Sequence, residues 1–195
     1  MNMNQPIETK PEVFKARFKG FVKIWRVHKQ TGEKTLVVDK DNTVLNLGAG
    51  LLASLLSGST GTGISTFYVG FNNNESFTYP TIDTSYSQPF NQLDAGAGFG
   101  YLRLPLAFPP SFLSDSGYTN NTVIFSTIIA SATSFYGATF TSDTSQIYEI
   151  ALVATPSSNP NDDIPFARIN FNQIEFDSSY ALAISWGIKF LAATD

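Results

Sequence analysis

The chain of 195 residues contains no cysteine and one histidine, and only 14% of its residues are charged. Without cysteine, disulfide bonds and thiolate metal sites are excluded, so packing or oligomerisation must stabilise the fold. His28 lies at the end of a basic strand, where an exposed structural residue is the simplest interpretation, and no H-E-x-x-H zinc motif occurs. The sequence therefore predicts a protein that is not an enzyme and that needs no cofactor or metal.

Long apolar runs are also missing from the sequence. No segment approaches the roughly 18 consecutive apolar residues of a membrane span. The first residues, MNMNQPIETKPE, do not place an apolar stretch after a basic one, as a secretory signal would. We therefore expect no membrane partner and an aqueous compartment.

Aromatic residues are abundant, with 17 Phe and 8 Tyr, and hydrophobic residues make up 43% of the chain. Together with many Ser, Thr, Asn and Gly, this composition favours strands and turns. We predict an all-β protein, an antiparallel β-sandwich of jelly-roll type. Residues 1–12, polar with two prolines, are predicted to form an N-terminal arm, and residues 13–195 the sandwich domain.

Alternating apolar and polar residues predict the strands. Residues 14–29 read as one long strand with a bulge at Gly20, paired through a turn with residues 35–40, and Asp41 and Asn42 read as the next turn. PPSFLSDSG and TPSSNPNDD read as turn clusters. The remaining predicted strands are ISTFYVGF, GYLRLPLAF, NTVIFSTIIA, ATFTSD, QIYEIALVAT, PFARINFNQIEF and YALAISWGIKFLA. In the last of these, the alternation assigns Trp186 to the core and small residues to the opposite face.

VLNLGAGLLASLLSG is the one segment with helical periodicity, because its leucines recur every four residues. It predicts one short buried helix near residues 46–57, with Asn46 as N-cap and Gly58 after the C-terminus. Gly48, Gly50 and Ala53 also match the G-x-G-x-x-A spacing of dinucleotide-binding folds. That reading requires alternating strands and helices, which the sequence does not offer, so the glycines are interpreted as close-packing positions.

Basic residues concentrate at the start of the chain. Residues 1–41 carry nine basic and five acidic residues, whereas residues 42–195 carry three and eleven, so the net charges are +4 and −8. A basic segment on an acidic body suits either nucleic acid or the acidic face of a neighbouring copy. Since the basic residues are spread along a strand, we favour the neighbouring copy and expect no nucleic acid. The predicted assembly residues are Lys15, Arg17, Lys19 and Lys23, with Phe77, Tyr79, Tyr86 and Phe90 in the long loop that follows ISTFYVGF.

Carboxylates offer a few weaker hypotheses. Glu149 with Glu175, or Asp162 with Asp163, are conceivable acid pairs for a polysaccharide-degrading enzyme. The SNPNDD segment contains oxygen ligands that suit calcium, although a solvated turn is the default. Arg168, inside a strand, is predicted to form a structural ion pair with Glu149 or Glu175.

The order of several motifs resembles virion structural proteins of tailed bacteriophages. In those chains an N-x-V-x-N-x-G-x2-L-L helix precedes F-x-V-G, I-x-E-I-x-L, F-A-R-I-x-F-x-x-I and W-x-I-x-F strands, and the likeness covers residues 42–190. The resemblance implies a β-sandwich building block of the capsid, neck or tail and no catalytic residues. It implies a protein of the virion, assembled in the host cytoplasm, whose partners are copies of itself and other virion proteins. A module of a tail tip or fibre that binds a host receptor or surface glycan is the alternative.

Overall fold

The computed structural model describes residues 17–59, 62–72, 77–91, 99–115, 118–130, 145–155 and 157–191. The predicted arm and the predicted ATFTSD strand lie outside these residues. The described part contains one α-helix, a short 3-10 turn at Pro160–Asp162 and nine strands. These elements are β1 (Arg17–His28), β2 (Lys34–Val44), α1 (Asn46–Leu56), β3 (Ile64–Asn72), β4 (Phe99–Pro105), β5 (Ser111–Asp115), β6 (Tyr118–Ile129), β7 (Ser145–Ala154), β8 (Ile164–Phe176) and β9 (Tyr180–Leu191).

All nine strands belong to one antiparallel sheet, in the order β4-β3-β7-β8-β2-β1-β9-β6-β5. The prediction of an antiparallel all-β fold with one short helix is therefore confirmed. The prediction of a turn at PPSFLSDSG is wrong in part, because Ser111–Asp115 forms β5. Its short apolar pair, Phe112 and Leu113, gave too little alternation to be recognised as a strand.

The two halves of the sheet join through the end of β2. Most of β2 pairs with β1, but Thr43 pairs with Arg168 and Val44 with Ala167 on β8. The predicted turn at Asp41 and Asn42 is therefore wrong, since β2 continues through both residues. Asp and Asn are common in turns, but here the pairing with two neighbouring strands keeps the backbone extended.

The sheet curls so that its two halves share one hydrophobic core. Phe67 on β3 and Trp186 on β9 belong to opposite halves, yet their ring centroids lie 6.2 Å apart. Both side chains are fully buried within one cluster that also contains Ile24, Ile150 and Leu152. The predicted core position of Trp186 is confirmed.

The bulge in the first strand lies at a different place from the predicted one. The register of β1 against β2 shifts between Ile24 and Trp25, whereas Gly20 pairs regularly with Asn42 and Ile188. Gly20 instead makes room for the Asn42 side chain, because a Cβ at position 20 would lie 1.7 Å from Oδ1 of Asn42 and that side chain would have to move.

Helix α1 is buried on one face only, which corrects the prediction of a buried helix. Gly48 and Leu51 are buried against β8 and the core, whereas Leu47 is 52% and Leu56 82% exposed. The N-cap position is Leu45, with no side-chain cap, in place of the predicted Asn46. Gly58 follows the helix with φ +69°, which confirms its predicted role at the C-terminus.

Candidate functional site

A fully buried ion pair joins β7 and β8 on the sheet face opposite the main core. The Arg168 side chain approaches Oε1 of Glu149 through Nε at 2.7 Å and Nη2 at 2.6 Å, and neither side chain is exposed. Buried charges persist in proteins when they are paired and hydrogen-bonded. The sequence alone allows either Glu149 or Glu175 as the partner of Arg168. The structure selects Glu149, because Glu175 is exposed and faces Gln146 in the register.

Two buried tyrosines complete the hydrogen bonding of this pair. The Tyr101 hydroxyl donates to Oε2 of Glu149 at 3.0 Å and accepts from Nη2 of Arg168 at 3.1 Å. The Tyr148 hydroxyl donates to the Tyr101 hydroxyl at 3.2 Å. Each oxygen of the carboxylate therefore has at least one donor, which offsets part of the cost of its burial.

The long loop covers this network, and we call residues 77–91 the covering loop. The Arg168 guanidinium carbon lies 4.3 Å from the ring centroids of both Tyr86 and Phe90, within cation–π range. Nη1 of Arg168 donates to the backbone oxygen of Gln88 at 2.5 Å. We call Arg168, Glu149, Tyr101, Tyr148, Tyr86, Phe90 and Gln88 together the Arg168 cluster.

Further hydrogen bonds attach the covering loop along β8 and to its neighbours. The Asn170 side chain donates to the backbone oxygen of Pro80, and the backbone N–H of Gln173 donates to the Tyr79 hydroxyl at 2.9 Å. The backbone N–H of Tyr101 donates to the backbone oxygen of Asn91 at 2.8 Å. These contacts hold the loop against the sheet over most of its length.

Burial changes the proton affinities in the Arg168 cluster. It raises the pKa of Tyr86 to about 12, and it also raises the pKa values of Tyr101 and Tyr148 above their usual value of 10.0. Burial raises the pKa of Glu149 as well, against the opposing effect of Arg168. The phenols therefore stay protonated at neutral pH and act as hydrogen-bond donors.

A second ion pair lies at the SNPNDD segment. Asp163, whose side chain is not exposed, pairs with Arg103 at 3.0 Å and accepts a hydrogen bond from the Tyr68 hydroxyl. Burial raises the pKa of Tyr68, and the hydrogen bond to Asp163 adds to the rise. Asp162 accepts from the Ser157 hydroxyl at 2.6 Å. The described residues contain no group of three or more His, Asp or Glu side chains that could hold a metal ion.

The predicted basic assembly residues lie on β1, as far as they are described. Lys19 is exposed and Lys23 is half-buried, and they form ion pairs with Asp41 at 3.5 Å and Asp39 at 3.6 Å on the neighbouring strand. Lys15 and the side chain of Arg17 lie outside the described residues. Part of the positive charge on this strand is therefore balanced within the chain.

The predicted aromatic assembly residues all lie in the covering loop and are half-buried against their own sheet. Phe90 stacks on Tyr68 at 4.3 Å, and Phe77 meets Tyr148 edge to face at 4.7 Å. Tyr79 is hydrogen-bonded to Gln173, and the Tyr86 ring lies over Arg168. Each of the four aromatic residues therefore contacts another part of its own chain. Their role in assembly stays a prediction.

The residues that sequence reasoning missed are the two buried tyrosines. Tyr101 and Tyr148 looked like ordinary strand aromatics, and nothing in a single strand shows that their hydroxyls meet a carboxylate. The detectable signal was the pair of charges in otherwise apolar strands, Glu149 in IYEIAL and Arg168 in FARINF. His28, predicted to be exposed, is half-buried and packs edge to face on Tyr180 at 5.3 Å.

A cleft of about 400 Å³ opens between the covering loop and the β3, β4 and β7 strands beside the Arg168 cluster. Phe99 contributes an exposed ring to it, and Gln88 and Asn91 contribute amide groups. The other described residues that line it are Phe71, Asn72, Phe77, Thr78, Pro80, Gly100, Tyr101 and Tyr148.

The fold and site define an antiparallel β-protein with a buried, loop-covered ion pair. No protein-family model, curated protein or solved structure matches the chain. Among the described residues, no helix has the length and apolar character needed to cross a membrane. The function is therefore inferred from the chain's own residues.

Proposed function

We propose that this chain is a non-enzymatic structural component of a tailed-phage virion that assembles as a homo-oligomer on the capsid, neck or tail. The observation that carries the proposal is the order of motifs between residues 42 and 190, which resembles such proteins. The motif residues of β7 and β8 also include Glu149 and Arg168, and Glu149 pairs with Arg168, which in turn donates a hydrogen bond to the covering loop.

In this proposal the curled sheet forms a β-sandwich of jelly-roll type. The contact between Phe67 and Trp186 supports two facing layers, with β2 passing from one layer to the other. Residues 1–12 form an arm that reaches a neighbouring copy, and the basic strand β1 lies against that neighbour.

Deletion of residues 1–12 tests the proposal. We expect the truncated protein to fold, with an unchanged circular dichroism spectrum and melting temperature, and to be lost from assembled particles. A variant with residues 1–12 replaced by a Gly/Ser segment of equal length controls for length alone and should also be lost. Normal incorporation of either variant contradicts the role of the arm.

Immunogold labelling of particles tests location. Labelling of the capsid, neck or tail supports the virion proposal, and absence of the protein from purified particles contradicts it.

A receptor- or glycan-binding module is the second candidate, and the cleft beside the Arg168 cluster favours it. Aromatic and amide side chains in a shallow cleft suit a polar ligand with apolar faces. Binding of the purified protein to host cells or to a glycan array distinguishes this candidate from a purely structural role.

A further inference from the structure

The cleft combines ring surfaces with amide groups. Phe77, Phe99, Tyr101 and Tyr148 supply aromatic rings, and none of the described residues lining the cleft is charged. Phe99 is 53% exposed, so its ring remains available to a ligand. The negative face of an aromatic ring attracts weakly positive C–H groups, and a sugar ring presents such groups on its apolar face.

The amide groups supply the polar contacts that a sugar requires. Gln88 lines the cleft, and its side chain accepts a hydrogen bond from the Tyr86 hydroxyl through Oε1, so its NH2 group is the part that can donate to a ligand. The Asn91 amide, on an exposed residue at the end of the covering loop, offers both a donor and an acceptor. Hydroxyl groups of a neutral sugar both donate and accept, so they match these amides without an ionic partner.

The walls of the cleft are already fixed in place. Arg168 holds the backbone of Gln88, and the Tyr101 N–H holds the backbone oxygen of Asn91. The Tyr148 hydroxyl is bonded to that of Tyr101. A preorganised site loses little conformational entropy when a ligand binds, which favours weakly binding ligands such as sugars.

An extended peptide fits this cleft less well. A peptide that added a strand to the sheet would need free backbone groups on β4. At Tyr101 the backbone N–H of β4 is already bonded to Asn91 of the covering loop. At Tyr101 the loop therefore takes the place that such a peptide would use.

We propose that this cleft binds a neutral saccharide, with the Phe99 ring against the apolar face of the sugar and the Gln88 and Asn91 amides bonded to its hydroxyls. This inference rests on the second candidate function and gives it a site and a ligand class. It requires no charged group on the ligand.

The test measures binding of the purified full chain to an array of neutral and acidic oligosaccharides, followed by titration of each bound neutral sugar. We expect binding to a neutral saccharide, weakened at least tenfold by Phe99→Ala and by Asn91→Ala. Phe112→Ala is the matched control. Phe112 is 60% exposed on β5, outside the cleft, so this variant should bind the saccharide as the wild type does. Unchanged circular dichroism spectra of the variants exclude unfolding as the cause.

Three results overturn the inference: no neutral saccharide bound, acidic saccharides alone bound, or binding that Phe99→Ala and Asn91→Ala leave intact. Particle incorporation of the same variants separates this inference from the virion proposal. If the variants enter particles normally and the wild type binds no saccharide, the inference is refuted and the virion proposal is not. A wild-type protein that binds saccharide but is absent from particles refutes only the virion proposal.

Discussion

Arg168 is a cation without exposed surface, and groups of its own chain surround it on every side. Its charge meets Glu149, its hydrogen bonds reach Tyr101 and Gln88, and its faces lie against Tyr86 and Phe90. One side chain therefore connects two strands and the covering loop. Removing it affects all three connections, and it leaves the Glu149 carboxylate buried without a cation.

We expect Arg168→Met to lower the free energy of unfolding by about 3–5 kcal/mol at neutral pH, because breaking a buried pair leaves an uncompensated charge. Urea unfolding measures this change. The double variant Arg168→Met/Glu149→Leu should recover part of the loss, since it removes both charges. Lys23→Met, which breaks an exposed pair with Asp39, should cost no more than about 1 kcal/mol. Equal losses for the two single variants would contradict this account.

The raised pKa of Glu149 makes stability depend on pH. Because the pKa lies above its usual value of 4.5, the folded protein holds this proton at pH values where the unfolded chain has released it. The contribution of the Glu149 carboxyl to the free energy of unfolding is therefore fully present below about pH 4.5 and is lost as pH rises through the folded-state pKa.

Glu149→Gln removes this titration. We expect the free energy of unfolding of the wild type, minus that of the variant, to fall as pH rises above about 4.5. Denaturant unfolding over a pH series measures the difference. A difference that rises with pH, or does not change, would show that the pKa of Glu149 is not raised.

At the scale of elements, helix α1 depends on close contact with β8. A Cβ on Gly48 would lie 2.1 Å from the backbone oxygen of Phe166, whereas a Cβ on Gly50 would meet nothing within 4 Å. The interpretation of the glycines as close-packing positions is therefore correct for Gly48 and wrong for Gly50. The contact involves a backbone carbonyl, so the helix or the strand must move to relieve it.

The two glycines make a matched pair of variants. We expect Gly48→Ala to destabilise the protein by about 1–3 kcal/mol through overpacking, although alanine is the better helix former. Gly50→Ala should stabilise it by about 0.5–1 kcal/mol, because the helix gains propensity without a clash. Thermal and urea unfolding measure both changes. The same sign of effect at both positions would contradict the close contact with Phe166.

At the scale of the whole molecule, the shared core couples the two halves of the sheet. Among the described residues, strand pairing joins them at Thr43 and Val44, and the side chains of the shared core add to that connection. Trp186, with no exposed surface, lies at the centre of this contact. The halves should therefore unfold together.

Trp186→Ala tests this coupling. We expect it to lower the free energy of unfolding by about 3–5 kcal/mol, because it leaves a cavity in the shared core. Tryptophan fluorescence comes from Trp25 alone in the variant and from both tryptophans in the wild type. In each protein it should report the same transition as circular dichroism. Trp25→Ala, on a half-buried side chain, should cost less. Separate transitions for the two probes would show that the halves are independent.

Features that depend on local periodicity could be predicted from the order of residues alone. Alternation in YALAISWGIKF assigned Trp186 to the core, and the leucine spacing predicted α1 within one residue of its observed end. Charges in apolar strands predicted that Arg168 forms an ion pair. These features follow from which face of a strand or helix each side chain occupies, and the order of residues encodes that directly.

Contacts between distant segments became visible only in the folded protein. The tertiary structure selected Glu149 over Glu175, extended β2 across the predicted turn to join β8, and placed the covering loop over the Arg168 cluster. Gln88 and Arg168, which are bonded there, lie 80 positions apart in the chain. Periodicity describes the faces of single elements and carries no information on such contacts, because they depend on the curl of the sheet and on the packing of its two halves.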